Sequence, residues 1–466
     1  MMTINWLEEV EKRKDELFAD LFRQLKIASV REDDKATKEA PVGPGPRQAL
    51  DDFMSMAKED GFKTKSFEPW AGRIEMGEGD ELVGIIGHLD VVPAGSGWET
   101  DPFDPVIKND RIYARGSSDD KGPTIAAYMA LKILRDLDVE LNKRVHLIVG
   151  TDEESGWQCM DYYFEHAEMP SIGFSPDAVF PIINGEKGNV SLIITSKNTD
   201  NSDSNRLVTF DAGLRENMVP ESATAVVQLQ NDHLEEEFEK YLNQHKLDGT
   251  IEANDQGWKL TLVGKSAHGS TPEQGVNGAT YLANFLKEYS FDKASRDFLQ
   301  LVGDVLHDNF DGSSLNIDHV HDVMGPLSAN VGLVNYNDQE GTNVTVNLRF
   351  PEGITPQEIL ERAQETLKDL PFEVAMSDFK EPHYVPADDP LVQTLLDVYH
   401  DHTGLPAHEM TIGGGTFGRL LPKGVAYGAL FPDSIDTMHQ ANEFIAIEDL
   451  LKATAIYADA IYRLTR

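Results

Sequence analysis

The chain has 466 residues and a formal net charge of −39, from 80 acidic and 41 basic residues. That balance argues against nucleic acid or an anionic membrane surface as a partner, because phosphate binding needs clustered lysine and arginine. A hydrophobic content of 40% indicates a folded chain, and the length predicts two or three domains.

The single cysteine, Cys159, excludes an intramolecular disulfide, so nothing points to an oxidising compartment. Residues 1–27 are charged throughout and lack the apolar stretch of a signal peptide. No run of about 18 apolar residues occurs, which is the length that a membrane-spanning helix needs. We therefore expect a cytoplasmic protein with Cys159 in its core.

The first predicted elements along the chain are two helices, followed by two apolar strands with a third helix between them. Helical spacing of apolar side chains predicts a helix over residues 6–27, and a second helix is expected over 46–60. The runs 82–86 and 145–149 are uniformly apolar, and the stretch 123–137 between them predicts a helix with proline in its first turn. This strand, helix, strand order is typical of a sheet buried on both faces.

From about Gly188 the pattern changes to an alternation of strands and helices. Strands are predicted at 190–196, 224–229, 250–263 and within 332–350, and helices at 232–245, 278–289 and 355–367. This alternation predicts an inserted α+β domain of two similar halves. We place the insertion at residues 186–382, within a first domain that is formed by residues 1–185 and 383–466.

Polar side chains follow both apolar runs of the first domain, at the point where each strand ends. His88 and Asp90 come after the first run, and Glu153 and Glu154 come after the second. Ligand sites in open α/β sheets lie beyond the carboxyl ends of the strands. We therefore expect these side chains at one edge of the sheet.

Carboxylates and histidines in this arrangement suit a pair of divalent metal ions. Asp119 can bridge two metals about 3.5–4 Å apart, although a helix N-cap is also a natural role for it. Burying the like charges of Glu153 and Glu154 side by side costs free energy unless a cation neutralises them. The alternative interpretation is a solvated acidic turn. Asp177 and His439, taken singly, are ordinary loop residues. Together these residues predict hydrolysis of an amide, and ligands without sulfur favour zinc, with cobalt or manganese as substitutes.

Six longer motifs carry a resemblance to a known family. They are His88-Leu-Asp-Val-Val-Pro-Ala-Gly95, Ala114-Arg-Gly-Ser-Ser-Asp-Asp-Lys-Gly-Pro123, Phe174-Ser-Pro-Asp177, Pro181-Ile-Ile-Asn-Gly-Glu186, Gly264-Lys-Ser-Ala-His-Gly269 and Thr411-Ile-Gly-Gly-Gly-Thr416. On these motifs the sequence resembles, essentially from end to end, the M20 co-catalytic zinc peptidases, which include aminoacylase, carboxypeptidase G and bacterial dipeptidases.

The resemblance implies two zinc ions and assigns their ligands. Asp119 would bridge the ions, His88 and Asp177 would complete one site, and Glu154 and His439 would complete the other.

It also implies roles for the neighbouring residues. Asp90 would orient His88, Glu153 would be the general base, and the peptide bond between Asp119 and Asp120 would be cis.

Three residues of the inserted domain and a glycine-rich turn after it are implicated in catalysis and substrate binding. They are His268, Asn217 and Arg349 of the insertion, and Gly413, Gly414 and Gly415 of the turn. The resemblance makes His268 a donor to the oxyanion, where the residues alone would suggest a loop histidine. The guanidinium of Arg349 has the fork geometry for a substrate carboxylate, and glycine lets backbone donors approach the same group.

The fold implied is an α/β zinc-peptidase catalytic domain, with a mixed sheet flanked by helices, plus an inserted α+β lid domain of two ferredoxin-like halves. Many relatives dimerise through an inserted domain about half this size, so a monomer is implied whose lid mimics the missing partner. The implied substrates are unblocked dipeptides. A deacylase or desuccinylase acting on N-acyl amino acids is the alternative. A metal-binding module without catalysis would lack a base or a ligand, whereas all six positions are filled.

Overall fold

The computed structural model describes residues 4–197 and 205–466. The chain divides into two compact units. Unit 1 comprises Met1–Gly185, Tyr384–Thr411 and Gly415–Arg466, and unit 2 comprises Glu186–His383 and Ile412–Gly414.

Groups of strands alternate with helices along the chain. The helices are α1 (Trp6–Glu11), α2 (Lys14–Leu25), α3 (Pro44–Glu59), α4 (Lys121–Asp136), α5 (Gln158–His166), α6 (Leu234–His245), α7 (Gly278–Leu286), α8 (Lys293–Gln300), α9 (Pro356–Leu367), α10 (Pro390–Thr403) and α11 (Ile447–Leu464). The strands are β1 (Lys63–Phe67), β2 (Ala71–Met76), β3 (Leu82–His88), β4 (Val106–Lys108), β5 (Arg111–Tyr113), β6 (Arg144–Gly150), β7 (Ile172–Ser175), β8 (Ala178–Val179), β9 (Ile183–Glu186), β10 (Gly188–Ser196), β11 (Arg206–Ala212), β12 (Ser222–Gln228), β13 (Asp248–Asn254), β14 (Gly257–Val263), β15 (Val320–His321), β16 (Gly325–Pro326), β17 (Ser328–Asn337), β18 (Gly341–Phe350), β19 (Glu373–Met376), β20 (His383–Tyr384), β21 (Met410–Ile412), β22 (Lys423–Ala426), β23 (Ala429–Leu430) and β24 (Phe444–Ala446).

A mixed sheet forms the centre of unit 1, with strand order β1-β2-β6-β3-β7-β22-β9. Strands β6, β3, β7 and β22 run parallel, and β2 and β9 join them antiparallel. The apolar runs predicted from the sequence are β3 and β6. Every residue of β3 is buried, as expected for a strand covered on both faces.

Neighbouring side chains of β3 and β6 enter different cores, because successive residues of a strand point to opposite faces. Ile85 and Leu147 belong to the large core that α4 and α11 complete. Ile86 and Ile148 belong to a smaller core with residues of α5. The prediction of a mixed sheet flanked by helices is therefore confirmed.

A buried ammonium group joins three helical segments of unit 1. The Nζ atom of Lys132 on α4 lies 3.1 Å from Asp20 Oδ2 and 2.8 Å from Asp60 Oδ2, and it also contacts the Glu16 carboxylate. These three carboxylates are close enough together to hold a metal ion. The ammonium of Lys132 already supplies the positive charge there.

In the described residues, the main sheet of unit 2 has eight strands, in the order β13-β14-β12-β11-β17-β18-β10-β19, and β15 and β16 form a separate two-stranded sheet. The first four strands form one half and the last four form the other. The halves join edge to edge where β11 pairs antiparallel with β17. Residues of α6, α7 and α9 share one apolar core with the sheet. This is the inserted α+β domain of two halves that the sequence predicts.

Two predicted elements are divided in the structure. The helix predicted over residues 6–27 is interrupted before Lys14, because Arg13 leaves the helical region with φ −113° and ψ 15°. The strand predicted over 250–263 is the hairpin of β13 and β14. The Asn254 side chain accepts the backbone N–H of Gln256 in its turn, and Gly257 takes a φ of +128° that favours glycine.

Among the described residues, we find no helix that combines the length and the apolar character needed to cross a membrane.

Candidate metal centre

Three neighbouring parallel strands deliver three of the five predicted ligands to one edge of the unit 1 sheet. His88 is the last residue of β3 and lies opposite Gly150, the last residue of β6. Glu154 follows β6, and Asp177 follows β7 by two positions. Because parallel strands end at the same edge, these side chains come together there.

The Asp119 carboxylate lies between the two histidines. Its Oδ1 atom is 3.1 Å from His88 Nε2, and its Oδ2 atom is 2.9 Å from His439 Nε2. Asp177 Oδ2 is 3.7 Å from His88 Nε2, and Glu154 Oε2 is 3.2 Å from His439 Nε2. Two triads therefore share Asp119, one with His88 and Asp177 and the other with Glu154 and His439.

The spacing of these atoms fits metal coordination. Ligand atoms about 2.0–2.1 Å from a tetrahedral zinc ion lie about 3.3 Å from one another. The nitrogen–oxygen distances in the two triads bracket that value, from 2.9 to 3.7 Å. Within the described part of the chain, Glu154 Oε1 is buried without a hydrogen-bond partner, as expected of a carboxylate oxygen placed to bind a cation.

The pKa shifts of the clustered residues indicate a site that would be stabilised by added positive charge. Burial, followed by repulsion from Asp119, raises the pKa of Asp177 well above its ordinary value. Hydrogen bonds with Asp119 and Glu154 raise the pKa of His439 to about 11. Burial acts to lower the pKa of His88, but hydrogen bonds with Asp119 and Asp90 outweigh it and raise that pKa well above its ordinary value. The donor set thus fits two divalent ions, which would supply that charge and leave both histidines neutral.

The orientation of the His88 ring is set by Nδ1, the ring nitrogen that does not contact Asp119. His88 Nδ1 lies 3.0 Å from the backbone oxygen of Asp90 and 3.4 Å from Asp90 Oδ1. In the neutral ring a proton on Nδ1 would be donated there, which leaves the lone pair of Nε2 on the side of Asp119 and Asp177 to bind a metal. The backbone N–H of His88 donates to Asp120 Oδ2 at 3.2 Å. The peptide bond between Asp119 and Asp120 is cis, as the resemblance implies.

The Asp90 carboxylate also holds the segment that carries the two glutamates. Its Oδ1 atom accepts the backbone N–H of Glu153 at 3.2 Å, and Oδ2 accepts that of Glu154 at 3.1 Å. Desolvation raises the pKa of Glu153 well above its ordinary value, and repulsion from Glu154 and Asp119 acts in the same direction. A carboxyl group with a raised pKa is suited to exchanging protons near neutral pH.

In unit 2, the loop containing His268 lies against the segment containing Asn217. The backbone N–H of Gly269 donates to the backbone oxygen of Asn217 at 2.8 Å. His268 Nδ1 accepts the backbone N–H of Ser270 at 3.2 Å, so in the neutral ring the proton is on Nε2. Burial and the charge of Arg349 lower the pKa of His268, which favours that neutral donor form.

Arg349 and Gly413 lie beside the same loop. A Cβ atom placed on Gly413 would be 2.6 Å from Ser270 Cβ and 3.8 Å from Arg349 Cγ, so only glycine allows this approach. Unit 2 therefore brings together Asn217, His268, Arg349 and Gly413. Gly414 belongs to the same unit, and Gly415 belongs to unit 1.

The profile of Peptidase family M20/M25/M40 matches residues 84–463 of this chain. The chain belongs to this family. A Staphylococcus haemolyticus protein named "Putative dipeptidase" is 44% identical over 465 residues, which cover 98% of this chain and 99% of that protein.

Two solved structures of low sequence identity share the fold. Aminoacylhistidine dipeptidase from Vibrio alginolyticus superposes with a TM-score of 0.58 at 15% identity, covering 97% of this chain and 96% of that one. A Bacillus subtilis protein described as a dinuclear metal binding peptidase from the M20 family gives a TM-score of 0.51 at 10% identity, covering 98% and 99%. Membership of the M20 family makes this chain a peptidase of mixed α/β fold, in a family that includes dinuclear metal enzymes.

Two acidic residues at the candidate metal centre have roles that the sequence did not reveal. Asp152, beside the predicted base, accepts the backbone N–H groups of Gly156 and Gln158, both at 3.1 Å, and pairs with Arg31 at 3.0 Å. It shapes the turn after β6. Glu443 is fully buried beside the Asp119 segment. No motif singled it out, and only its position four residues after His439 could have drawn attention to it.

Proposed function

We propose that this M20 family member is a metallo-dipeptidase of the dipeptidase V type, which hydrolyses the peptide bond of unblocked dipeptides. The observation that carries the proposal is the pair of triads that share Asp119, with Glu153 adjacent to one of the ligands. The name of the Staphylococcus haemolyticus relative supports the substrate class.

The proposed metal ligands are His88 and Asp177 for one zinc ion, Glu154 and His439 for the other, and Asp119 for both. Cobalt or manganese would be workable substitutes. When bound, the two ions would lower the pKa of a water molecule and polarise the substrate carbonyl group.

Glu153 is the proposed general base. Its carboxylate takes a proton from the attacking water and then passes it to the leaving amine, so that a single group serves both proton transfers. Asp90 supports this by holding the backbone of Glu153 and Glu154, and by fixing the ring of His88.

We assign substrate recognition to residues of unit 2 and to Gly415, which belongs to unit 1. The Nε2–H group of His268 is the proposed donor to the tetrahedral oxyanion. Arg349 and backbone N–H groups of Gly413, Gly414 and Gly415 would hold the substrate carboxylate, with Asn217 as a further polar contact. Recognition of both ends of the substrate by a closed lid would limit its length to about two residues.

The proposed enzyme is cytoplasmic and monomeric. The eight-stranded sheet of unit 2 supports a monomer, because its two halves are already joined within one chain through β11 and β17. Sedimentation equilibrium tests this, and a stable dimer would contradict it.

A substrate panel tests the proposed function. The protein is stripped of metal with a chelator, reloaded with zinc, cobalt or manganese, and assayed on dipeptides, a tripeptide, and N-acetyl and N-succinyl amino acids. We expect activity only after reloading, with dipeptides cleaved faster than the tripeptide and the blocked amino acids. Preferential cleavage of the N-acetyl or N-succinyl amino acids would instead make the protein a deacylase or desuccinylase.

A further inference from the structure

Glu443 lies in a pocket of hydrogen-bond donors directly beneath the Asp119 segment. Its Oε1 atom accepts the backbone N–H groups of Ser118 at 2.8 Å and of Asp119 at 3.1 Å. Its Oε2 atom accepts the backbone N–H of Gly116 at 3.1 Å and a 2.6 Å bond from Arg115 Nη1. Both carboxylate oxygens thus accept hydrogen bonds from the residues that lead into Asp119.

Arg115 extends this arrangement to a third segment. Its Nη2 atom donates to the backbone oxygens of Pro93 and Ala94, both at 3.3 Å, and its guanidinium lies 5.3 Å from the ring centroid of Trp98. The side chains of Arg115 and Glu443 are 1% and 0% exposed, so solvent does not screen the pair. The two members of the pair are 328 positions apart in the chain.

Each of the three segments joined in this way contains a candidate metal ligand or directly follows one. The segment after β3 follows His88, the segment before α4 contains Asp119, and the segment before β24 contains His439. Pairing of β24 with β5 fixes the backbone on the far side of Glu443. The Arg115–Glu443 pair therefore joins the supports of three ligands from both triads.

We propose that Glu443 is a positioning residue that sets the geometry of the bridging Asp119 carboxylate, and with it the affinity for both metal ions. This inference rests on the proposed metal centre and adds to it a residue outside the ligand set. Glu443 contacts the backbone of Asp119, not the metal-binding oxygens, so it acts through placement of that backbone.

The test is metal binding by the stripped protein, measured by competition with a chromophoric chelator. Glu443→Gln keeps the size of the side chain but replaces one accepting oxygen with an NH2 group, which cannot accept hydrogen bonds from the donors around it. We expect zinc to bind about 10- to 100-fold more weakly, the range found when supports of metal ligands are removed. Glu443→Asp keeps a carboxylate on a shorter side chain. It should not have the wild-type zinc affinity, because the four hydrogen bonds of Glu443 need the longer side chain.

Asp459→Asn is the matched control. Asp459 is also a buried carboxylate of unit 1 in an arginine pair, with Arg463 at 2.7 Å, but its hydrogen-bond partners do not include a candidate ligand. Both variants should unfold at lower temperature without metal, and only Glu443→Gln should lose zinc affinity. Wild-type zinc affinity in Glu443→Gln, or an equal loss in the Asp459 variant, would overturn the proposal.

A second variant covers the case in which Glu443→Gln does not fold. Arg115→Lys keeps the charge and the Glu443 carboxylate but removes the fork that reaches Pro93 and Ala94. It should weaken zinc binding by several-fold, and unchanged affinity would count against the proposal. Because the readout is metal binding, a protein that binds two zinc ions normally but leaves dipeptides intact would refute the proposed function and leave this inference standing.

Discussion

Replacing Asp90 with asparagine should lower kcat/KM for dipeptide hydrolysis by about 10- to 150-fold. The Asp90 carboxylate accepts two backbone N–H groups, from Glu153 and Glu154. An asparagine side chain has one accepting oxygen, and its amide group must face the second N–H. Loss of one hydrogen bond to a charged group costs about 1.5–3 kcal/mol, and each 1.4 kcal/mol corresponds to a factor of ten.

The assay is steady-state hydrolysis of a dipeptide at saturating zinc, with the metal content of each protein measured in parallel. Asp101→Asn is the matched control, since Asp101 Oδ1 accepts one backbone N–H, from Phe103 at 2.9 Å, in an exposed turn. It should stay within about twofold of the wild type, as expected for a surface substitution. A wild-type kcat/KM for Asp90→Asn, or a similar loss in both variants, would refute the role assigned to Asp90.

Three further changes test other parts of the molecule. Glu153→Gln should lower kcat by about 10²–10⁴-fold at unchanged metal content, whereas the exposed Glu165→Gln should not, and full activity of the first would remove Glu153 as the base. Burial lowers the pKa of His146 to about 4, so the unfolded chain binds a proton that the folded one excludes between pH 6.5 and 4. Stability of the metal-free protein should therefore fall as the pH drops through that window, with a slope of up to about 1.4 kcal/mol per pH unit, and urea unfolding should show a weaker fall for His146→Gln. Lys132→Met should destabilise the fold by about 3 kcal/mol, the lower end of the range for breaking a buried pair, because its carboxylate partners are partly exposed. The exposed Lys12→Met should leave the urea midpoint unchanged, and equal midpoints for both lysine variants would contradict the role given to Lys132.

The sequence predicted those parts of the site that depend on local pattern. His88 and Glu154 follow uniformly apolar runs, and such runs form adjacent parallel strands whose ends coincide. The position of Asp119 before a helix with an early proline was visible in the same way. The proximity of His88 and Glu154 is thus a consequence of strand order, while the catalytic roles of all three residues remain predictions.

The rest depends on contacts between distant segments, which leave no local pattern. Glu443 and Arg115 lie in different parts of the chain, and neither belongs to a hydrophobic repeat that would indicate their pairing. The interruption at Arg13 was also hidden, because the apolar spacing continues through it. The hairpin at Asn254 was missed although its Asn-Asp-Gln-Gly sequence is rich in turn-forming residues.

The order of the ligands along the chain has a consequence for synthesis in the cell. The triad around His88 is available once Asp177 has been made, whereas the second triad waits for His439, after the whole of unit 2. Strand β22, which pairs with β7, and helix α11, which packs on α4, are also made near the end. A growing chain therefore carries an incomplete first unit throughout most of its translation, and a product that stops between Asp177 and His439 has the residues of only one triad and lacks the helix α11 that packs on α4.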